Sequence, residues 1–411
     1  MQEYTITIET LVSGGNGLGR LPDGKAVFVP FVLPGEAVRV RIREEKKRHA
    51  FADLLEVLEA SPERITPRCA HYQQCGGCHY QHIAYSDQVR FKRGMFEEQL
   101  QRIGGLEQLP PIEVVEALDP WQYRNTIQFH TTQDGDLAFM DAASASPFAV
   151  KECWLPMKEI NDLWPQIALD AAMDIKRIEI RQNSQGDRML VLESSGGEIP
   201  EMEITLPISV VHINQSDAVV LSGDPYLMQM VNGHAFQVSA QSFFQTNFQG
   251  AIALVNIVRE MAAPFSGLLL DLYCGVGLFS RFLAEQFNQV VAVEVSEPAC
   301  DDFMENMAQF EQISLYQGPV EHVLPDLDVP ADCVLVDPPR KGLDRFALDA
   351  IVNTKAPVVI YVSCDPSTLA RDIKRFSQSG YVLKRSVVVD MFPHTYHIES
   401  VNLLELNQDK E

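Results

Sequence analysis

The residues of this chain whose types and spacing could do chemistry fall into three groups, and the first is a lone thiol. Cys364 lies in VVIYVSCDPSTLARD, after an apolar run and directly before Asp365 and Pro366. A thiol at the end of a buried strand can act as a nucleophile once its proton is drawn off. By itself such a cysteine is more often an inert core residue, so its surroundings decide. The second group is RCAHYQQCGGCHYQH, where Cys69, Cys75 and Cys78 make a C-x5-C-x2-C array that Cys153 in KECWLP could complete. Four thiolates suit zinc or an iron–sulfur cluster, and one C-x2-C pair, not the two of a zinc ribbon, favours iron and sulfur. His71, His79 and His82 nearby read as hydrogen-bonding groups and not as ligands.

The third group is a small-molecule site. LLLDLYCGVGLFS, residues 268–280, is a buried strand that runs into a glycine turn and a helix. Gly275 and Gly277 let the backbone approach a ligand at the carboxyl end of the strand, where open α/β sheets bind small molecules. Glu294 ends the next apolar run, about 20 residues on, where a carboxylate can hold ribose hydroxyls. A dinucleotide site would want a third glycine, G-x-G-x-x-G, and that position is Ser280. In VLVDPPRKGLD an Asp-Pro-Pro follows a buried strand, a turn that resembles class I methyltransferases acting on nucleobases and no dehydrogenase.

Three kinds of element must position these groups. Residues 1–60 alternate apolar and polar side chains in short runs broken by GGNGLG, PDG and LPGE, the outline of a five-stranded antiparallel barrel. Residues 61–234 hold the cysteine array, one helix (YSDQVRFKRGMFEEQLQRIGG, with Ser86 as its cap and Gly104–Gly105 as its stop) and several short strands, a mainly β central domain. Residues 235–411 alternate apolar strands with helices, which specifies a parallel sheet covered on both faces.

The net charge of −23 counts against nucleic-acid binding. The acidity is regional, however. Residues 1–130 carry 15 Lys and Arg against 17 Asp and Glu, the remainder 18 against 39. Within the near-neutral part, Arg39, Arg41, Arg43, Lys46, Lys47 and Arg48 concentrate on what reads as a strand, a turn and a strand. Eight cysteines in a chain of 411 residues, three of them clustered, suit a reducing compartment. With neither a bilayer-length apolar run nor a signal-peptide pattern, a cytoplasmic protein without membrane contact is expected.

Taken together, FQVSAQSFFQTN, DLYCGVG, DPPRKG, YVSCDPSTLARD and DMFPHTYHIES resemble, in order and spacing, the RNA uracil-C5 methyltransferases that form 5-methyluridine in large-subunit ribosomal RNA or in the tRNA T-loop. The barrel is similar to the TRAM domain, an OB-like RNA-binding module. The resemblance implies a class I (Rossmann-like) α/β methyltransferase domain, an N-terminal TRAM barrel and a mainly β central domain. It implies S-adenosyl-L-methionine held by Gln245, Tyr273, Glu294 and Asp337, Cys364 as nucleophile, and Glu399 of HIES as the base. It also implies a 4Fe–4S cluster on Cys69, Cys75, Cys78 and Cys153, with Arg340 and Lys341 touching RNA phosphate or the target base. The expected partner is RNA, with 23S rRNA first and tRNA uridine 54 as the alternative, and the expected state is a monomer. Two other readings are a non-catalytic RNA-binding iron–sulfur protein, against which intact Cys364, Glu399 and Gln245 speak, and a nicotinamide-dependent reductase, for which the phosphate-binding turn is missing.

Overall fold

The computed structural model describes residues 2–407 apart from 168, 170–173, 197–202, 216 and 328. Strands Glu3–Leu11, Asn16–Arg20, Ala26–Pro30, Ala37–Glu45 and His49–Glu59 close into a barrel. The period-two pattern sends Ile6, Ile8, Val27, Val29, Val38, Val40, Ala50 and Ala52 inwards as its core. Glu36, fully buried, accepts hydrogen bonds from Leu33 N and Ser61 N and pairs with Arg64, which ties the barrel to the chain that leaves it.

The helix in the next segment is Tyr85–Arg102. Its N-cap is Ala84, not Ser86 as the sequence suggested. Burial of Ile83 and the bond from Ala117 N to Tyr85 Oη draw residues 83–85 inwards, so that Ser86 falls inside the first turn. The stop at Gly104 is as expected, since a Cβ there would lie 2.3 Å from Leu100 O. Seven strands form the central sheet, from Asp217–Ser222 at one edge to Pro147–Ala149 at the other, and Tyr226–Val231 pairs with His234–Ser239 as a separate hairpin.

The C-terminal sheet has eight strands, in the order Ile313–Gln317, Gln289–Glu294, Leu268–Leu272, Cys333–Val336, Val358–Ser363, Glu399–Leu406, Tyr381–Val389 and Ile112–Val115. Its neighbours pair in parallel except around Glu399–Leu406, which runs antiparallel to both strands beside it. An all-parallel sheet is thus corrected by one reversed strand, because the chain turns back through 390–398 without a crossover helix. The boundary drawn at 234 is also crossed. Strand Ile112–Val115 completes this sheet, and Met95, Phe96 and Leu100 of the 85–102 helix belong to its core with Leu369, Ile373 and Phe376. Both elements bury apolar side chains that the small central sheet does not cover. No described helix is long and apolar enough to cross a membrane.

Candidate active site

The reversed strand brings the two reactive groups together. Its register sets Ser400 opposite Ser363, the last pair of that ladder, so that Glu399 and Cys364 each lie one residue beyond it, at the edge where the parallel strands end, and the Glu399 carboxylate acts on the thiol. Cys364 is half-buried between its strand and helix Pro366–Gln378, whose N-cap Asp365 accepts from Ser367 N and Thr368 N at 2.9 Å. Glu399 is 5% exposed. Burial, then the Glu399 and Asp337 carboxylates, push the Cys364 thiol up to about 12, while Arg340 opposes them. Burial and Asp337 likewise raise Glu399 well above the ordinary carboxylate range. The thiol therefore rests protonated.

The ligand-binding turn lies along the same edge. Gly277 has φ +89°, and a Cβ on it would sit 2.8 Å from Met307 and 2.9 Å from Phe303, so the glycine lets strand and helix pack close. Tyr273 adopts φ +63°, a left-handed conformation that a tyrosine takes only when its surroundings impose it. Glu294 accepts from Gly275 N at 3.0 Å and from Val295 N and Ser296 N at 2.8 Å, which fixes its carboxylate over the turn with lone pairs to spare. Asp337, past the end of strand Cys333–Val336, is pushed up to about 7 by burial and by Asp271. Gln245 lies in the segment before helix Phe248–Ala262, and its carbonyl accepts from Asn125 Nδ2 at 3.0 Å.

These observations gain weight from relatives. The family description tRNA (uracil-5-)-methyltransferase matches residues 203–315 and 325–407, and the TRAM domain matches 1–55. An RNA methyltransferase of Halalkalibacterium halodurans, itself uncharacterized, is 32% identical over 442 residues, covering 98% of this chain and 96% of its own. The chain belongs to the tRNA (uracil-5-)-methyltransferase family. Another uncharacterized RNA methyltransferase, from Aquifex aeolicus, is 32% identical over 98% of both chains. The crystal structure of the Pyrococcus abyssi tRNA (uracil-54, C5)-methyltransferase with S-adenosyl-L-homocysteine superposes with a TM-score of 0.76 at 25% identity, covering 98% of this chain and 100% of that one.

Around the thiol, this methyltransferase gathers residues to which the sequence assigned no role. A cavity of about 20 Å³ beside Cys364 is lined by Ser13 from the first barrel hairpin, Met95 and Gln99 from the 85–102 helix, and Tyr396 and His397 from the segment before Glu399. Barrel, central segment and C-terminal loop thus meet at Cys364. Asp271, fully enclosed, takes a 2.6 Å bond from Ser280 Oγ and is pushed up to about 7 by burial. Ser280, which fails the dinucleotide pattern, has this bond as its role. The DPPRKG loop is held by Asp372, which accepts from Leu343 N at 2.9 Å and Tyr361 Oη at 3.0 Å.

The basic hairpin is less free than its sequence suggests. Arg39 pairs with Glu56 and Glu3, Arg43 with Asp53, and Lys46 with Glu44, while exposed Lys47 and Arg48 show no ion pair among the described residues. Such exposed pairs are weak, and a phosphate could displace them.

The four cysteine thiols lie within electrostatic reach of one another. After burial, Cys75 and Cys69 raise the Cys78 thiol, up to about 12, and Cys78 and Cys75 raise that of Cys153, also to about 12. Arg124 opposes both shifts, so a positive charge stands beside the thiols. Among the described residues no three His, Cys, Asp or Glu side chains close on a single metal ion. A four-iron cube, with one thiolate at each corner, needs its ligands farther apart than one tetrahedral ion does. The histidines do structural work. His71 Nε2 accepts from Lys151 N at 3.1 Å and His82 Nδ1 lies 2.5 Å from Tyr72 Oη, while the His79 ring packs against Tyr396 with its buried Nδ1 unpartnered among the described residues, and burial lowers His79 and His82 to about 4.

Proposed function

We propose that this enzyme methylates carbon 5 of a uridine in RNA, with Cys364 as the nucleophile, Glu399 as the base, and 23S rRNA as the substrate. The observation that carries this reading is the Ser363–Ser400 pair, which brings the adjoining Cys364 and Glu399 within electrostatic reach of each other at one edge of the sheet. Carbon 5 of uracil is too electron-poor to attack a methyl group unaided. The Cys364 thiol gives its proton to solvent and its sulfur adds to carbon 6 as the carbon 5–carbon 6 double bond opens, which leaves carbon 5 enolate-like. S-adenosylmethionine, when bound, supplies the electrophilic methyl group. Gln245, Tyr273, Glu294 and Asp337 would hold it, with Glu294 turned to the ribose. The Glu399 carboxylate then takes the carbon 5 proton, the carbon 6–sulfur bond breaks and its electrons return to Cys364. Arg340, which favours the anionic forms of both Cys364 and Glu399, steadies the charge.

The likeness to the Pyrococcus abyssi enzyme favours a competing substrate, uridine 54 of tRNA. Incubation with labelled S-adenosylmethionine and unmethylated total RNA, followed by mapping of the labelled nucleotide, separates the two. Label in 5-methyluridine of 23S rRNA is the expected result. Label only in the tRNA T-loop would move the substrate, and no label in any uridine would overturn the reading.

Within this scheme residues 1–60 grip RNA, 61–234 form the central domain with the cluster and lend the 85–102 helix and strand Ile112–Val115 to the C-terminal sheet, and 235–411 carry the chemistry. Cys69, Cys75, Cys78 and Cys153 would hold a 4Fe–4S cluster, supported by four thiols within electrostatic reach of one another beside a cationic Arg124. A methyl transfer needs no electron, so the cluster's contribution is to staple the 69–83 segment. Protein purified without oxygen should be brown, absorb broadly near ~400 nm and contain iron and sulfide. Colourless, zinc-loaded protein would refute the cluster.

A further inference from the structure

Beside the proposed cofactor site lies a cavity that shares with those roles only Gln245. Its volume is about 230 Å³. Gln128, Arg177 and Glu179 of the central sheet form one wall, Leu227, Gln229 and Val238 of the hairpin a second, and the 241–246 segment a third. Some of the polar lining is structural. Glu179 is bonded to Gln128 Nε2 and paired with Arg181, whose guanidinium is spent on the carbonyls of Ser239, Ala240 and Ser242. Three lining atoms are different. Among the described residues, Gln229 Oε1, Thr246 Oγ1 and the Nε of Arg177, whose Nη2 pairs with Glu193, are buried without a hydrogen-bond partner. Gln229 is only 4% exposed.

Buried polar atoms without partners are rare, and three around one cavity mark a place where a ligand supplies what the protein does not. The orphans are an amide acceptor, a guanidinium donor and a hydroxyl that can do either, set against the apolar faces of Leu227 and Val238. That combination fits the edge and flat face of a nucleobase, on which donors and acceptors alternate. A phosphate is a poorer match, because the Glu179 carboxylate lines the same space. Phe243, also on the lining and 73% exposed, offers a ring on which a base can stack. Since Gln245 belongs both to this wall and to the proposed cofactor contacts, the occupant lies close to the reacting uridine, which points to the same RNA strand.

We propose that the cavity takes a second, unpaired nucleobase of the RNA substrate, near the target uridine, with Gln229, Arg177 and Thr246 meeting its edge. This rests on the uridine-methylation reading above. The test uses the shortest RNA that the wild-type enzyme methylates, with each neighbour of the target replaced in turn by an abasic nucleotide. One such replacement should raise KM roughly tenfold, as expected for a lost hydrogen-bonded base, with kcat little changed. Gln229→Leu, which removes the amide without opening space, should raise KM by a similar factor on intact RNA. It should add little on that one abasic RNA, a non-additivity that marks direct contact. Gln229→Glu keeps an acceptor and should retain most of the affinity, which also covers the case that the Leu variant folds poorly. An unchanged KM in both Gln229 variants, or abasic effects of equal size in variant and wild type, would overturn the proposal and leave a solvated cavity. If the wild-type enzyme methylates no RNA, the uridine reading itself fails, and the proposal falls with it.

Discussion

Glu399→Gln enzyme incubated with S-adenosylmethionine and substrate RNA should accumulate methylated RNA joined covalently to the protein, seen as a slow band on a denaturing gel. Cys364→Ala should give neither the band nor methylated RNA. The two groups act on opposite sides of methyl transfer, so removing each stops the reaction at a different place. Without the thiol nothing adds to carbon 6. Without the carboxylate, addition and transfer proceed, but the carbon 5 proton stays and the sulfur cannot leave. Turnover in Glu399→Gln should fall by roughly 100- to 10,000-fold, the range of a lost general base. The electrostatics add a second readout. After burial, the Glu399 carboxylate is the largest contributor to the high pKa of Cys364. Removing its charge lowers that pKa, so adduct formation in Glu399→Gln should reach its maximum at lower pH than the corresponding single-turnover step of the wild type. Cys274 and Cys333 are buried core thiols, and their Ala variants should behave as mild packing defects. A Glu399→Gln enzyme that turned over freely, or that bound RNA and S-adenosylmethionine without an adduct, would transfer the base role elsewhere.

What the sequence made legible was local. Cys364, Asp337, Glu294 and the glycine turn each end an apolar strand run, and a parallel α/β sheet gathers strand ends at one edge whatever the strand order. Glu399 was reachable only through its HIES motif, because the strand it opens is inserted backwards between two others, a pairing set by contacts far apart in the chain. The same holds for Ser13 at the nucleophile and for Ile112–Val115 in the C-terminal sheet. A four-residue strand has too short a period to announce which sheet it joins. The basic hairpin misled in the opposite direction. Its charges are visible in the sequence, while the acids that neutralise them come from Glu3 and from the following strand. Helix 85–102 conceals its buried face for a related reason. That face carries Gln88, Lys92 and Gln99 as well as Met95 and Phe96, so its apolar periodicity is diluted by polar side chains whose partners lie some 300 residues away.

Lys92→Met should destabilise the protein by about 3–5 kcal/mol in urea unfolding, the usual cost of stranding one partner of a buried ion pair. This lysine is 1% exposed, and its Nζ donates to Asp390 Oδ1 at 2.7 Å and to Phe392 O at 2.9 Å. Burial lowers the Lys92 pKa despite Asp390, the mark of a charge taken out of water and only partly repaid by its partner. Both contacts fall at the start of the 390–398 segment that delivers Glu399, and Gln88 on the same helix face donates to His394 Nδ1 at 3.1 Å. The helix is therefore the clamp that sets where the reversed strand begins. In Lys92→Met the Asp390 carboxylate is left buried and unpaired, and the segment loses two anchors. Lys92→Met combined with Asp390→Leu removes both charges, and a buried pair replaced as a whole is often neutral. The double variant should therefore recover most of the stability. Its kcat should stay low, because the bond that fixes the position of Glu399 is still missing. If the pair were only a stability device, kcat would return with the urea midpoint. Recovery of both together would show that the clamp has no share in placing the base.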